Sequence, residues 1–369
     1  MIGAGPAGCS AALTLSRRGI QPTVIERISS SDELPMRALL LDEVALQCLA
    51  ECGIDTAMLH HMTRVRFSHR HHHRVRELHK TSAGVLSERA LSARLREACE
   101  ASGSDVRMGV AATAPYVERG FVRGAILDDG SVLRSEFVVI ADGANSTFGR
   151  SLGTYRRRDI PYLLAIAATF ESSHASRSEF DVLLDLERSE REPVAGYGWV
   201  VPDGGQSVTV GIVIPSTVRD VEAVNLADVL GRAVRSIAPR WEIDPDRPIS
   251  ASRSRRLPVG GSVLPIAGPT FVVAGDAAAS ADPLSGIGVG GALVSGTCAG
   301  TAVADAIDAG ASAPLQNYTT LIREAFGQRQ RIGRVALPIL GHQVGQRALT
   351  FAARSHIVAE ALLRATFDR

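Results

Sequence analysis

Gly3-Ala4-Gly5-Pro6-Ala7-Gly8 runs directly into Cys9-Ser10-Ala11-Ala12-Leu13-Thr14-Leu15-Ser16-Arg17-Arg18-Gly19, and this stretch decides the fold. The first part is a GxGxxG turn. The second reads as a helix of small and apolar residues that stops at a glycine. Gln21–Ile25 then reads as a strand, and Glu26 stands 18 residues after Gly8. A dinucleotide needs this order. The first glycine permits the tight turn, the second lets backbone approach a pyrophosphate, and the third lets the helix lie close to the strand. The helix N-terminus faces the phosphates, and a carboxylate ending the second strand accepts from a ribose hydroxyl. Pro6, Ala7 and Arg27 complete the candidate set here. Only Met1 and Ile2 precede Gly3, so either the central strand is stunted or the true start lies upstream.

Two further corners follow. Phe137-Val138-Val139-Ile140 reads as a buried parallel strand and enters Ala141-Asp142-Gly143-Ala144-Asn145-Ser146-Thr147. Thr270-Phe271-Val272-Val273-Ala274 does the same and enters Gly275-Asp276-Ala277-Ala278, then Asp282-Pro283-Leu284-Ser285-Gly286-Ile287-Gly288 and a helix of small residues. Each alone also fits an aspartate capping a helix. Three in this order point to one dinucleotide, with Asp142 and Asp276 placed to accept from sugar or ribityl hydroxyls. Gly286-Ile287-Gly288-Val289-Gly290-Gly291 repeats the GxGxxG spelling, but it follows a loop instead of a strand, so no second nucleotide fold is expected.

With GxGxxG, DG and GD segments in this order, the chain resembles the FAD-dependent oxidoreductases of the para-hydroxybenzoate hydroxylase fold over essentially its whole length. The resemblance implies an α/β fold: a Rossmann-like FAD-binding domain, an inserted antiparallel-sheet α+β substrate domain, and C-terminal helices. The expected divisions are 1–59, 81–153 and 254–310 for FAD, 60–80 and 154–253 for substrate, and 311–369 for the helices. It implies that Gly3, Gly5, Gly8 and Glu26 hold the ADP half of FAD. It implies that Asp276, after Gly275, meets the ribityl chain, and that Pro283 to Gly288, with Gly286 and Ile287, runs beside the isoalloxazine. Leu86-Ser87-Glu88-Arg89-Ala90-Leu91 is similar to the family's helix-start segment, whose arginine contacts the FAD phosphates, here Arg89. Arg37 is similar to another flavin-contacting arginine. A solvated surface charge is the plain alternative for both. The usual arginine of the DG segment is displaced by one, to Arg150, which leaves its role open.

Leu163–Phe170, Phe180–Leu186, Tyr197–Val201 and Ser207–Ile214 read as strands of an antiparallel sheet suited to walling a pocket. The hairpin expected over Arg64–His79 joins it. Gly196-Tyr197-Gly198-Trp199-Val200-Val201-Pro202, with Gly211 on the next strand, is similar to the Tyr-x-Trp-x-Phe-Pro segment of geranylgeranyl reductases and to a tryptophan motif of flavin-dependent halogenases. Val213 replaces the reductases' second glycine. Tyr197 and Trp199 share one side of a strand and form either a flat substrate wall or a core pair. Gly290 stands where aromatic hydroxylases carry asparagine, while Asp282–Gly288 and Tyr318–Gly327 look more like the reductases. The halogenases' catalytic lysine has no match: Lys80, the only lysine, lies beyond the hairpin.

Composition narrows the rest. The chain has 369 residues, 45% of them hydrophobic, with 40 basic and 39 acidic side chains. No basic field argues for nucleic acid. No uncharged apolar run is long enough to span a bilayer, and no signal peptide is visible. Five cysteines without a CxxC pattern fit neither a disulfide framework nor a zinc site, and suit a reducing cytoplasm. His69, His71, His72 and His73 lie among Arg64, Arg66, Arg70, Arg74 and Arg76. That cluster reads first as a solvated hairpin, then as a rim for an anionic lipid or carrier-borne group; no metal is expected. Leu337, Ile339, Leu340, Val344, Leu349 and Phe351 form either packed core or a face peripheral to a membrane.

The expectation is an FAD-dependent reductase similar to geranylgeranyl reductases, giving hydride to an apolar unsaturated substrate, with NAD(P)H or another reductant as transient donor. The alternative is an FAD-dependent monooxygenase acting on an aromatic or partner-borne group. The third is a flavin-binding protein without turnover. No catalytic acid or base carries a motif.

Overall fold

The computed structural model describes residues 1–342 and 345, apart from 58, 70–71, 79–82, 191 and 251–253. Arg70, His71, Lys80 and the tail from 346 onward therefore lie outside the described residues. Helices are α1 (Pro6–Arg17), α2 (Glu43–Glu51), α3 (Glu88–Ala101), α4 (Thr147–Ser151), α5 (Leu226–Trp241), α6 (Val289–Asp308) and α7 (Asn317–Leu340).

The nucleotide-type sheet is parallel. Thr23–Glu26 pairs with Asp105–Met108, and Val138–Ile140 pairs with Phe271–Val273. Between the two pairs lies a single residue, Ile2, bridged in parallel to Ile25 and Ile140. In this chain Ile2 alone holds the central position of the sheet. It is stitched on both sides: Ile2 N–H donates to the Val139 carbonyl at 2.9 Å, Ala141 N–H to the Ile2 carbonyl at 2.8 Å, and Gly3 N–H to the Ile25 carbonyl at 2.8 Å. Buried aliphatic residues of these strands, Ile2, Ile25, Val138, Val139, Ile140, Val272 and Val273, join one core with α1 and α6.

Helix α6 packs on α1 through small residues. A Cβ at Gly296 would collide with the Ala7 carbonyl, and one at Gly300 would lie 2.7 Å from the Ala11 carbonyl. Ser10 Oγ donates to the Leu293 carbonyl at 2.8 Å. The small-residue run of α6 therefore sets how close the two helix starts lie.

The second large sheet has seven strands, ordered Arg255–Pro258, Tyr162–Glu171, Ser207–Pro215, Tyr197–Pro202, Glu179–Leu183, Arg64–His69 and His72–Glu77. The four strands read from the sequence all occur in it, and the hairpin forms one edge. Its neighbour strand His60–Met62 instead pairs with Ala83–Ser87, and Arg255–Pro258 lies on the far edge. One face is covered by α5. Val229, Leu230, Ala233, Val234, Ile237 and Trp241 are buried at helical spacing against Ile166, Val208, Val210 and Ile212. Asp181, fully buried, ties the end of that helix by accepting from Trp241 Nε1 at 2.8 Å and Arg240 Nε at 2.9 Å. The opposite face is free to wall a cavity.

Gly296→Ala is expected to cost about 1–3 kcal/mol, because backbone opposes the added methyl. Gly231→Ala in α5, where the nearest atom is the flexible end of Arg235 at 3.4 Å, should stabilise by up to about 1 kcal/mol. Urea midpoints of the two variants should move in opposite directions.

Candidate active site

Strand ends and helix starts converge on one cavity of about 810 Å³. Gly3, Gly5, Pro6 and Ala7 line it from the α1 turn, Glu26 and Arg27 from the next strand end, and Asp142 from the third. Gly275, Asp276, Gly286, Ile287 and Gly288 line it from the last corner, and Arg37, Tyr197 and Trp199 from elsewhere. Three expected residues are not among the lining. Gly8 packs behind the turn, where a Cβ would collide with the Gly3 carbonyl. Arg89 points its Nε–H at the Leu34 carbonyl, 2.7 Å away, and so braces a lining residue. Pro283 lies under α7, where a Cβ on Gly333 would strike its ring.

The polar half is shaped for a ligand that the protein itself does not complete. A Cβ on Gly5 would meet nothing within 4 Å, so the second glycine of the turn opens on the cavity. Helix α1 has no side-chain cap, leaving its first N–H groups directed to the same space. Glu26 is held by N–H groups of Ala4 at 2.8 Å and Ile28 at 3.1 Å. Four lining residues carry buried polar atoms without a partner: Ser31 Oγ, Arg37 Nε, Glu88 Oε2 and Asp142 Oδ1. Such atoms cost about 1–3 kcal/mol each unless something bonds them. A long polar cofactor with phosphates and hydroxyls fits this donor and acceptor set.

Electrostatics agree. Burial pushes the Asp276 carboxyl above its ordinary value, partly offset by Arg255 and Arg37. Burial also raises Asp142, against the hydrogen bonds from Ser146 and the Phe148 N–H. Partial desolvation and the charge of Arg37 pull the Arg255 guanidinium down. Arg37 is itself paired to Glu88 at 3.0 Å. Arg255 lines the cavity but was missed in the sequence, since it belongs to no motif and arrives on an edge strand from the other sheet. Arg150 is exposed in α4 and is not among the lining residues.

The other half is apolar. Leu163, Ala165, Phe180, Val182, Val213, Leu337 and Leu340 line it beside Tyr197 and Trp199. The two aromatic rings lie 6.2 Å apart at 52°. Trp199 faces Gly211 across the strand pair, where a Cβ would collide with the indole, and Tyr197 faces Val213. Glycine is thus required at 211 for the indole to lie flat on the sheet. The Tyr197 hydroxyl donates to the Ser285 carbonyl. Burial, aided by the Asp282 charge, pushes its pKa upward, so it stays a neutral donor.

The basic hairpin stands at the sheet edge, with Phe67 lining the cavity and pairing with exposed Arg74. Among the described residues no group of three or more histidine, cysteine or acidic side chains is arranged for a metal ion.

The sequence profile described as FAD binding domain matches residues 1–330. Menaquinone reductase of Mycolicibacterium smegmatis is 27% identical over 321 residues, covering 81% of this chain and 74% of that protein. Digeranylgeranylglycerophospholipid reductase of Methanosarcina mazei is 28% identical over 329 residues, covering 84% and 75%. Among solved structures, a geranylgeranyl bacteriochlorophyll reductase-like protein of Thermoplasma acidophilum superposes with a TM-score of 0.81 at 22% identity, over 99% of this chain and 95% of that one. The flavin-dependent brominase Bmp2 superposes at 0.75 with 17% identity, over 98% and 91%. At such identities these two likenesses are of fold.

Asp276→Asn should stabilise the cofactor-free protein at neutral pH. A carboxyl whose pKa is raised by folding favours the native state only while protonated. Its contribution is therefore full below the ordinary value of 3.8 and is lost as pH rises through the raised value. Thermal midpoints of the variant and the parent should coincide in acid and separate above that pH, with the variant higher.

Proposed function

The chain belongs to the FAD binding domain family and is an FAD-dependent oxidoreductase, and from that premise we propose that it reduces a carbon–carbon double bond of an apolar, prenylated quinone or lipid. The observation that carries this reading is the apolar half of the cavity, continuous with the polar half and walled by Tyr197, Trp199, Phe180 and Leu163. The curated relatives are reductases named for menaquinone and for a digeranylgeranyl phospholipid, which supports it.

In this reading Gly3, Gly5, the first turn of α1 and Glu26 receive the ADP part of FAD, with Arg27 and Arg37 toward its charge. Asp142 and Asp276 accept from hydroxyls, and Gly286 to Gly288 border the flavin ring. Gly8 serves by packing, and Arg89 by bracing Leu34. When bound and reduced by NAD(P)H or another donor, FAD would supply the hydride, and water or an acid that no motif identifies would supply the proton that completes the reduction. The protein's part is to hold the prenyl chain against Tyr197 and Trp199 and to keep water out with aliphatic walls. Tyr197, neutral and fixed to Ser285, keeps charge away from the double bond.

Prenyl substrates reside in lipid, and α7 offers a place for a lipid surface. Leu337 and Leu340 face the cavity, while Ile332, Val335 and Ile339 of the same helix are 52%, 68% and 56% exposed, beside exposed Arg331. We assign peripheral contact with an anionic membrane to that face. Among the described residues no helix is long and apolar enough to cross a membrane.

Under strict anaerobiosis, dithionite-reduced holoprotein should be reoxidised by a geranylgeranyl lipid or menaquinone, and mass spectrometry should find two hydrogens added to the product. Reoxidation that needs O2 and adds an oxygen atom would select the monooxygenase reading instead. Replacing Val335 and Ile339 with Glu should weaken binding to phosphatidylglycerol vesicles in co-sedimentation by about a hundredfold or more, since each buried aliphatic side chain is worth about 1.5 kcal/mol or more. Turnover of a detergent-dispersed substrate should be unchanged.

A further inference from the structure

The segment that borders the ring in this reading, Asp282 to Gly288, is held from outside the FAD-type motifs. Asp282 is buried. Its Oδ1 accepts from Leu284 N–H at 3.0 Å, Ser285 N–H at 2.8 Å and the Ser285 hydroxyl at 3.0 Å. Its backbone closes the same loop: Gly286 N–H donates to the Asp282 carbonyl at 2.9 Å, and Asp282 N–H to the Ile287 carbonyl at 3.0 Å. The free side of the carboxylate, Oδ2, meets Arg329 Nε of α7 at 3.1 Å, with side-chain exposures of 8% for Asp282 and 25% for Arg329. The following turn of α7 presses Gly333 onto Pro283. The next places Leu337 in the cavity.

A carboxylate this buried carries a large desolvation cost and needs a countercharge. Its position also matters electrically. Leu284 to Gly288 line the cavity directly, so Asp282 is one short loop away from whatever occupies that space. Unpaired, it would oppose negative charge accumulating there on reduction. Paired, the two charges largely cancel.

We propose that Arg329 is a positioning residue that acts through Asp282: it locks the 283–288 loop and neutralises the carboxylate, and so sets the reduction potential of the flavin. This rests on the reading that FAD occupies the cavity. A purely structural role would make every disruption of the pair act alike. The electrostatic role gives the two partners opposite signs, because Arg329→Gln leaves an extra negative charge by the ring and Asp282→Asn leaves an extra positive one.

The test is the two-electron midpoint potential of full-length holoprotein, measured by dye equilibration. Arg329→Gln should shift it downward, Asp282→Asn upward, and Arg329→Lys should remain near the parent. The double variant Arg329→Gln/Asp282→Asn, which removes both buried charges and leaves an amide on each side, should return toward the parent value and guards against loss of folding in the single variants. Equal shifts of one sign, or none, with FAD stoichiometrically bound would overturn this proposal alone. A parent protein that takes up no FAD would overturn the cavity reading and this proposal with it.

Discussion

The arrangement depends on how backbone is held at Ile2 and Gly3. These two residues are hydrogen-bonded to Ile25 on one side and to Val139 and Ala141 on the other. Those bonds place the α1 turn between the Glu26 strand end and the Asp142 strand end. The third corner follows, since Val138–Ile140 pairs in parallel with Phe271–Val273, which leads into Gly275 and Asp276. A parallel sheet is a geometric device: its C-terminal strand ends share one edge, so residues distant in sequence meet there. Here that edge is fixed at Ile2, which is bridged on both sides and packed into the buried aliphatic core beneath it.

The cavity shows a trade between stability and function. Unpartnered Ser31, Arg37, Glu88 and Asp142 atoms, raised carboxyls at Asp142 and Asp276, and a guanidinium at Arg255 pulled down by burial and by its neighbour Arg37 all work against the folded chain by itself. Clustered around one space, they describe a binding site kept ready at the expense of the empty fold. The apolar half carries no such strain. Its walls are core side chains that border the cavity, so an apolar ligand would extend their packing.

What could be read in the sequence were features with local causes. GxGxxG, the DG and GD corners and the strand alternation all follow from short-range geometry, and all occupy the edge or the sheet they implied. Tyr197 and Trp199 were legible as a pair; both line the cavity, and Gly211 opposite Trp199 leaves room for the indole. Three kinds of feature were hidden. Arg255 enters the cavity by strand pairing with Ala165, ninety residues earlier, which no window of sequence displays. Arg89 sits in a helix-start segment that matches a family pattern, yet its guanidinium is committed to Leu34. The dual role of α7 needed the three-dimensional orientation of each of its faces, because its apolar residues alternate between cavity and solvent.

That helix also explains why the flavin-type loop can be so poor in side chains. Asp282 to Gly288 contains two glycines and a serine, and a loop of this composition loses much chain entropy on ordering. Its order comes from three directions: Asp282 folds it on itself, the Tyr197 hydroxyl takes the Ser285 carbonyl, and α7 closes over Pro283. The Tyr197 strand, the 282–288 loop and α7 are therefore mechanically one unit. A displacement of α7 that exposed Leu337 would release the loop at the same time. Opening of the apolar half of the cavity and order in the 282–288 loop are for that reason coupled in this fold, and changes on α7 alone do not alter one without the other.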